Sequence, residues 1–153
     1  MARFPFFKKK EYFSAEEKEK IVSAIRSMER QTSGEMRVFV ESKNAYMDPV
    51  DRAREVFYKL KMQKTDHRNG VLLYLATKDK QLALFGDEGI YKATGADYWN
   101  HAVNDMVSRF KNIDVCEGVV QCILQVGQTL KEKFPYNKTE DKNELPDDIV
   151  FGN

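Results

Sequence analysis

Apolar and polar positions follow regular periods along this chain, and the periods predict an ordered series of strands. Residues 35–41 place apolar side chains at alternate positions, which is typical of a strand with one deeply buried face. Residues 71–76 form a continuous apolar run, as expected of a strand that is covered on both faces. The short polar stretch 77–80 then reverses the chain into a third strand near 81–86.

Four amphipathic stretches predict helices around these strands. The first follows Ser14, which forms a capping box with Glu17. The second begins at Asp48 and Pro49, because Asp caps a helix and proline suits its first position. Two more helices are predicted near 96–111 and 115–132. Their apolar faces consist of Ile21, Ile25 and Met28, then Ala53, Val56, Phe57 and Leu60, then Trp99, Val103, Met106 and Phe110, and finally Val119, Ile123, Val126 and Leu130.

The order strand, helix, strand predicts a βαβ unit with two parallel strands and a right-handed crossover, to which the hairpin adds an antiparallel strand. We therefore expect an α/β fold, a three-layer α-β-α sandwich in which helices flank both faces of a small mixed β-sheet. The chain divides into an aromatic and basic extension (1–13), the α/β domain (14–135) and an acidic, mostly disordered tail (136–153). The last apolar cluster of the tail, 149–151, is expected either to dock as a short strand or to serve as a linear motif.

Length and charge narrow the class of protein. A chain of 153 residues is expected to form one domain. Lys and Arg number 25 and Asp and Glu number 24, so the basic excess that a nucleic-acid binder needs is absent. No apolar run has the length of a signal peptide or a membrane span, which predicts a cytoplasmic protein, and we expect a monomer. Membrane contact is expected only through Phe4, Phe6 and Phe7 beside the lysines at 8–10.

Two groups of side chains resemble metal sites but fit simpler interpretations. Cys116 and Cys122 lie six positions apart in a helical pattern, and no third ligand is spaced to match. We expect free, metal-free thiols without a disulfide. Asp97, His101 and Asp105 follow one another at helical spacing, which suits a transition metal or a proton relay. Because they lie away from the apolar stripe of their helix, a solvated face is the simpler interpretation.

Polar residues that are distant in sequence are predicted to meet at one edge of the sheet. Parallel strands share the edge where they begin, and the hairpin strand ends at that same edge. Glu35, Asp66, Asn69, Asp87 and Glu88 should gather there. Carboxylate and amide oxygens suit Ca²⁺ or Mg²⁺, and the predicted ligands are Glu35, Asp66, Asp87 and Glu88. The alternative is a set of solvated turn residues, since Asp, Asn and Gly are ordinary turn formers.

Common catalytic motifs are absent from the sequence. It contains no phosphate-binding loop of the Gly-x-x-x-x-Gly-Lys-Ser/Thr type, no Gly-x-Gly-x-x-Gly dinucleotide fingerprint and no Gly-x-Ser-x-Gly nucleophile elbow. The usual routes to catalysis therefore have no support in the sequence.

Several short motifs nevertheless occur in a recognisable order: SGEMRV at 33–38, DHRNGVL at 66–72, GDEGI at 86–90, Phe110, and the pair Phe134 and Pro135. Together they resemble the TPM domain, a family named for a thylakoid lumen protein, a photosystem II repair protein and a worm receptor modulator. The resemblance spans about 14–135 and implies an α/β sandwich with helices on both faces of a small mixed sheet. Family members include weak acid phosphatases, binders of divalent cations such as Ca²⁺, and proteins that assemble or repair membrane complexes. Without a visible signal peptide or anchor, the chain resembles the soluble bacterial branch.

Two functional hypotheses follow. The first is a divalent-cation-binding module that engages an unidentified protein partner, in assembly or repair of membrane complexes. The alternative is a metal-assisted phosphomonoesterase, in which Glu35 or Asp87 positions the attacking water. Phosphoryl transfer needs cationic groups around the phosphate, and only Arg37 and Arg68 are candidates near this edge. The sequence therefore favours the binding module.

Overall fold

The structure of the protein, a computed structural model, describes residues 12–44, 47–112, 114–137 and 145–152, with side chains at 110–112 left undescribed. Its elements are α1 (Ala15–Glu29), β1 (Glu35–Glu41), α2 (Pro49–Lys59), β2 (Gly70–Ala76), β3 (Gln81–Gly86), α3 (Glu88–Thr94), α4 (Ala96–Asn112), α5 (Val115–Lys133) and β4 (Val150–Phe151). The predicted membrane-contact segment around Phe4 to Lys10 and the side chain of Phe110 lie outside the described residues. No helix in the described ranges has both the length and the apolar character needed to cross a membrane.

The predicted helix starts are confirmed at the atomic level. Ser14 Oγ accepts a hydrogen bond from the Glu17 amide at 3.1 Å, and the Ser14 amide donates to Glu17 Oε1 at 3.0 Å. Asp48 Oδ1 accepts from the Val50 amide at 2.9 Å, and Pro49 is the first residue of α2. Both caps satisfy amides that a helix start leaves without intrahelical partners.

The sheet has the predicted mixed topology, with strand order β3-β2-β1-β4. β1 and β2 are parallel and in register from Glu35 opposite Gly70 to Glu41 opposite Ala76. β3 runs antiparallel to β2, so that Gly86 at its end lies opposite Val71. The N-terminal ends of β1 and β2 and the C-terminal end of β3 therefore share one edge, as predicted.

Helices cover both faces of the sheet, which confirms the three-layer sandwich. Met36, Val38 and Val40 point to one face and pack against α1, α4 and α5. The alternate positions of β1 point to the other face, where Phe39 packs in the cluster that contains Phe57 of α2. Period-two alternation in β1 thus distributes its side chains between two separate cores.

Two elements differ from the simplest expectation. Asp87 and Glu88 were expected to be either metal ligands or solvated turn residues, but Asp87 caps α3, its Oδ1 accepting from the Glu88 amide at 2.8 Å. Farther along the chain, β4 pairs with β1 in parallel, and the Gly152 amide donates to the Val40 carbonyl at 2.7 Å. The first of the two expected alternatives for 149–151, a docked short strand, is therefore the one observed.

Candidate functional site

The shared edge brings Glu35 and Asp87 into one row across three strands. Glu35 lies opposite Gly70, and the Asp87 amide donates to the Gly70 carbonyl at 2.9 Å. Two strand spacings put the backbones of Glu35 and Asp87 about 10 Å apart. Met62 and Leu145 lie over Gly70, because a Cβ there would come within 3.1 Å of the Met62 carbonyl oxygen and 3.8 Å of Leu145 Cδ1. The packing of Met62 and Leu145 over Gly70 separates two groups of acidic side chains at this edge, one around Asp87 and the other around Glu35.

In the first group, Arg68 binds two of the predicted metal ligands. Its Nε and Nη2 donate to Asp87 Oδ2 and Oδ1 at 2.7 and 2.9 Å, and its Nη1 donates to Glu88 Oε1 at 3.1 Å. Asp87 is only 1% exposed, so the two-bond contact neutralises a buried carboxylate. The hydrogen bond with Asp87 raises the pKa of Arg68 above its ordinary value. A cation at Asp87 and Glu88 would have to displace the Arg68 guanidinium. The remaining predicted ligand of this group, Asp66, is exposed in the turn that precedes Arg68.

The backbone around Arg68 is fixed by close packing on α3. Arg68 adopts a left-handed conformation with φ of 49°. Its carbonyl accepts from the Gly89 amide at 2.9 Å and from the Ile90 amide at 3.3 Å. A Cβ at Gly89 would lie 2.2 Å from the His67 carbonyl oxygen, so glycine is required for this approach.

The second group is built around Glu35, which is 3% exposed and accepts from the Leu145 amide at 2.7 Å through Oε1. Glu29, at the end of α1, forms a hydrogen bond with the side chain of Asp147 and another with the backbone of Met36. Burial first, then Asp147 and Glu35, raise the pKa of Glu29 to about 10. Glu29 is therefore hydrogen-bonded to Asp147 and lies within the electrostatic influence of Glu35, although the oxygens of the three carboxyl groups do not all lie within 4.8 Å of one another. Glu29 keeps its proton at neutral pH.

Two arginines lie at the margin of this carboxylate cluster, which consists of Glu29, Glu35 and Asp147. Arg26 Nε is 3.6 Å from Asp147 Oδ2, and the Arg26 side chain is half exposed. Arg37 is 8% exposed, and its burial lowers the pKa of its guanidinium although Asp148 and Asp147 act in the opposite direction.

The remaining predicted positions have structural roles or face solvent. Asn69 is fully buried, its Nδ2 donates to Ser33 Oγ at 3.4 Å, and its Oδ1 accepts no hydrogen bond from the described residues. Asp97, His101 and Asp105 are all exposed, which confirms the interpretation of a solvated face. Cys116 and Cys122 form no disulfide, as predicted.

Glu29 and Asp147 were not predicted from the sequence to be partners of Glu35. Glu29 has the appearance of an ordinary polar residue at the end of an amphipathic helix, and Asp147 lies in a segment assigned to the tail. One signal was present, because apolar residues at 145 and 149–151 flank Asp147 and indicate that this part of the tail docks.

The titration of Glu29 gives a prediction for stability. Its pKa is 4.5 in the unfolded chain and about 10 in the folded protein, so the folded state binds the proton more tightly. The free energy of unfolding should therefore fall as pH rises through this interval. Glu29→Gln removes the penalty, and we expect it to raise the free energy of unfolding on the order of 1–3 kcal/mol at pH 7 and to leave it nearly unchanged at pH 4.

Urea unfolding at the two pH values measures this effect. Glu16→Gln, at an exposed position of α1, is the matched control and should change the free energy of unfolding by less than about 0.5 kcal/mol. Equal effects of the two substitutions at pH 7 would show that Glu29 does not carry a strongly raised pKa.

Comparisons with known proteins agree with this geometry. The sandwich of a small mixed sheet between helical layers is shared with solved structures of low sequence identity. They include the N-terminal domain of a Corynebacterium glutamicum protein, with TM-score 0.62, 15% identity, and coverage of 85% of this chain and 86% of that one. The N-terminal domain of a P. gingivalis protein matches with TM-score 0.65, 17% identity, and coverage of 80% and 78%. At these identities the likeness shows the fold alone.

The family is shown by two further findings. The family model described as the TPM domain matches residues 7–129, so the chain belongs to the TPM domain family. The NMR structure of the BA42 protein from the psychrophilic bacterium Bizionia argentinensis is similar, with TM-score 0.86, 41% identity, and coverage of 95% of this chain and 99% of that one. No curated protein matches the sequence.

Proposed function

We propose that this TPM-domain protein is a protein-interaction module that binds a divalent cation, Ca²⁺ or Mg²⁺, at the start of β1. The observation that carries the proposal is the carboxylate cluster of Glu29, Glu35 and Asp147. Burial is the main cause of the raised pKa of Glu29, and the neighbouring Asp147 and Glu35 raise it further, so ionised carboxylates at this site repel one another. A hard dication with oxygen ligands relieves that repulsion and leaves Glu29 ionised.

The other predicted ligands, Asp66, Asp87 and Glu88, provide an alternative location for the same cation. The ion pairs from Arg68 oppose binding there, because the cation would replace a guanidinium that already makes three hydrogen bonds with the two carboxylates. The cluster at Glu35 therefore fits a cation better.

A cation at the carboxylate cluster would connect the domain to its own C-terminal segment. Asp147 belongs to the segment that continues into β4, which covers part of the free edge of β1. Phe151 in β4 is 44% exposed. Exposed sheet edges can pair with strands of other chains. The position of this segment therefore determines how much of the β1 edge is accessible to a strand of a protein partner. Cation binding would in this way control the partner-binding surface.

Calorimetric titration with Ca²⁺ and Mg²⁺ tests the proposal. We expect a dissociation constant of about 10⁻⁴–10⁻³ M, at the weak end of the range for protein Ca²⁺ sites, because a cation must displace the proton of Glu29. Glu35→Gln retains an acceptor for the Leu145 amide but loses a charge, and it should weaken binding by more than about tenfold. Glu16→Gln serves again as the control and should bind as the wild type does.

Three outcomes decide the location and the function. Loss of binding in Glu35→Gln supports the carboxylate cluster. Loss in Asp87→Asn with full binding in Glu35→Gln would move the site to the alternative location. No binding of either cation by the wild-type protein would contradict the proposed function.

The phosphomonoesterase alternative gains no support from the described residues. Arg37 is 8% exposed and Arg68 is engaged by Asp87 and Glu88, so neither guanidinium is presented to a phosphate. We expect purified protein with Mg²⁺ to release no phosphate from a phosphomonoester. A rate that Asp87→Asn abolishes would favour the enzyme instead.

A further inference from the structure

A second cluster of metal-ligating atoms lies where the first turns of α1 and α5 meet. It consists of Glu17, Asp114 and Cys116, and the nearest ligand atoms of the three side chains all lie within 4.8 Å of one another. The residues come from distant parts of the chain, since Cys116 Sγ lies 3.8 Å from the carbonyl oxygen of Glu17, 99 positions away. Packing of α1 against α5 creates this proximity.

Helix capping fixes both carboxylates and leaves each with one oxygen available. Glu17 Oε1 accepts from the Ser14 amide at 3.0 Å, and Asp114 Oδ1 accepts from the Glu117 amide at 2.9 Å. The second oxygen of each group accepts no hydrogen bond from the described residues. Both side chains are thus oriented before any ligand arrives, which lowers the entropy loss on binding.

The thiol is the independent observation that points to a particular class of ion. Cys116 is only 5% exposed and belongs to the apolar core, yet its Sγ lies within 4.8 Å of a carboxylate oxygen of Glu17 and of Asp114. Its single hydrogen bond is the weak 3.8 Å contact with the Glu17 carbonyl, in which the thiol is the donor. A buried sulfur donor beside two oxygen donors suits a borderline-soft ion and not the hard cations Ca²⁺ and Mg²⁺.

We propose that Glu17, Asp114 and Cys116 form a site for a Zn²⁺-type divalent metal ion that joins the first turns of α1 and α5. Zinc–ligand bonds of about 2.0–2.3 Å place tetrahedral donor atoms roughly 3.5 Å apart. Side-chain rotations that move each donor atom by about 1 Å bring the three donors from within 4.8 Å of one another to the tetrahedral spacing. A water molecule completes the fourth coordination position. The site is separate from the carboxylate cluster and does not depend on the proposed function.

Binding must displace the thiol proton and overcome the neighbouring positive charge. Burial, Glu17 and Asp114 raise the pKa of the Cys116 thiol, while Lys20 acts in the opposite direction. Metal binding should therefore release one proton per ion. The bound ion should also raise the thermal unfolding temperature, because it connects two helices that are far apart in sequence.

Cadmium titration of the full chain tests this site, because a thiolate–Cd²⁺ bond produces an ultraviolet charge-transfer band. We expect the band at one equivalent in the wild type and in Cys122→Ser, a matched control that removes the other buried thiol. Cys116→Ser should lose the band. Asp114→Asn and Glu17→Gln can still cap their helices, and each should weaken Cd²⁺ and Zn²⁺ binding by more than about tenfold.

Circular dichroism of each variant establishes that it is folded, and the two carboxylate variants carry the test if Cys116→Ser does not fold. No band in the wild type would overturn the proposal. A band that survives in Cys116→Ser, or unchanged affinity in both carboxylate variants, would overturn it as well. Unchanged affinity in both carboxylate variants would mean that the thiol binds the metal without the predicted oxygen donors.

Discussion

Gly89→Ala is expected to lower the free energy of unfolding by about 3 kcal/mol. The new methyl group would lie 2.2 Å from the carbonyl oxygen of His67 and 2.7 Å from that of Arg68. Both contacts are with backbone atoms, so the turn must separate from α3. Separation also strains the bonds from the Gly89 and Ile90 amides to the Arg68 carbonyl, each worth about 1 kcal/mol. The better helix propensity of alanine, about 1 kcal/mol, offsets only part of the loss.

Gly127→Ala is the matched control for this substitution. It also replaces a glycine within a helix, but the new Cβ would meet Met28 Cγ at 2.4 Å, which belongs to a flexible side chain. We expect a loss of less than about 1.5 kcal/mol there, because methionine can change rotamer. Urea unfolding of both variants gives the comparison. Equal losses would show that the backbone contact at Gly89 is not the limiting constraint.

Arg52→Met is expected to lower the free energy of unfolding by about 3 kcal/mol. Arg52 Nε and Nη2 each lie 2.9 Å from an oxygen of Glu41, whose side chain is only 7% exposed. The Tyr74 hydroxyl donates a further hydrogen bond to Glu41. Removing Arg52 leaves a buried carboxylate without its counter-charge, which costs about 3–5 kcal/mol in fully buried pairs. The partial exposure of Arg52, 21%, places the expectation at the lower end.

The pH dependence of this effect follows from Glu41. Burial by itself would raise the pKa of Glu41, but hydrogen bonds from Arg52 and Tyr74 hold it below its ordinary value. In the wild type, Glu41 therefore adds stability above its ordinary pKa, and this stability is lost as pH falls through the lower folded-state pKa. In Arg52→Met, burial dominates, so the destabilisation should be large at pH 7 and shrink at pH 3, where Glu41 is protonated in the variant.

Arg54→Met provides the control on the same helix. Arg54 and Asp51 form an exposed pair with Nη1 3.6 Å from Oδ1, and both side chains are more than half exposed. Such a pair contributes little, so we expect a change of less than about 0.5 kcal/mol. Comparable losses in the two variants would mean that Glu41 relaxes towards solvent when Arg52 is removed.

The fold could be predicted because local periodicity and topology agree. The alternation in 35–41 and the apolar run in 71–76 identified β1 and β2, and the helix between them required a parallel pairing. α3 was not predicted, because its seven residues are too short for an apolar period to be visible. Its start depends on Asp87 as a cap, and Asp87 and its neighbouring glycines are equally typical of a loop.

The candidate sites depended more on tertiary packing. Sequence topology correctly placed Glu35 and Asp87 at one edge, but it could not show that Arg68, in a left-handed turn, would bind Asp87 and Glu88. It also could not show that Asp147 returns to Glu35 from the end of the chain. The same limit applies to Cys116, for which no third ligand was spaced along the sequence, whereas α1 supplies Glu17 from far away.

Mapping amide NMR shifts during a Ca²⁺ titration of the wild-type protein tests the central claim most directly, because it locates the cation within the fold. We expect progressive shifts at Glu29, Glu35 and the residues around Asp147, with a dissociation constant of about 10⁻⁴–10⁻³ M. We expect only small changes at Asp87 and at Cys116. If saturating Ca²⁺ leaves the amides of Glu29, Glu35 and Asp147 unmoved, the carboxylate cluster is not a cation site.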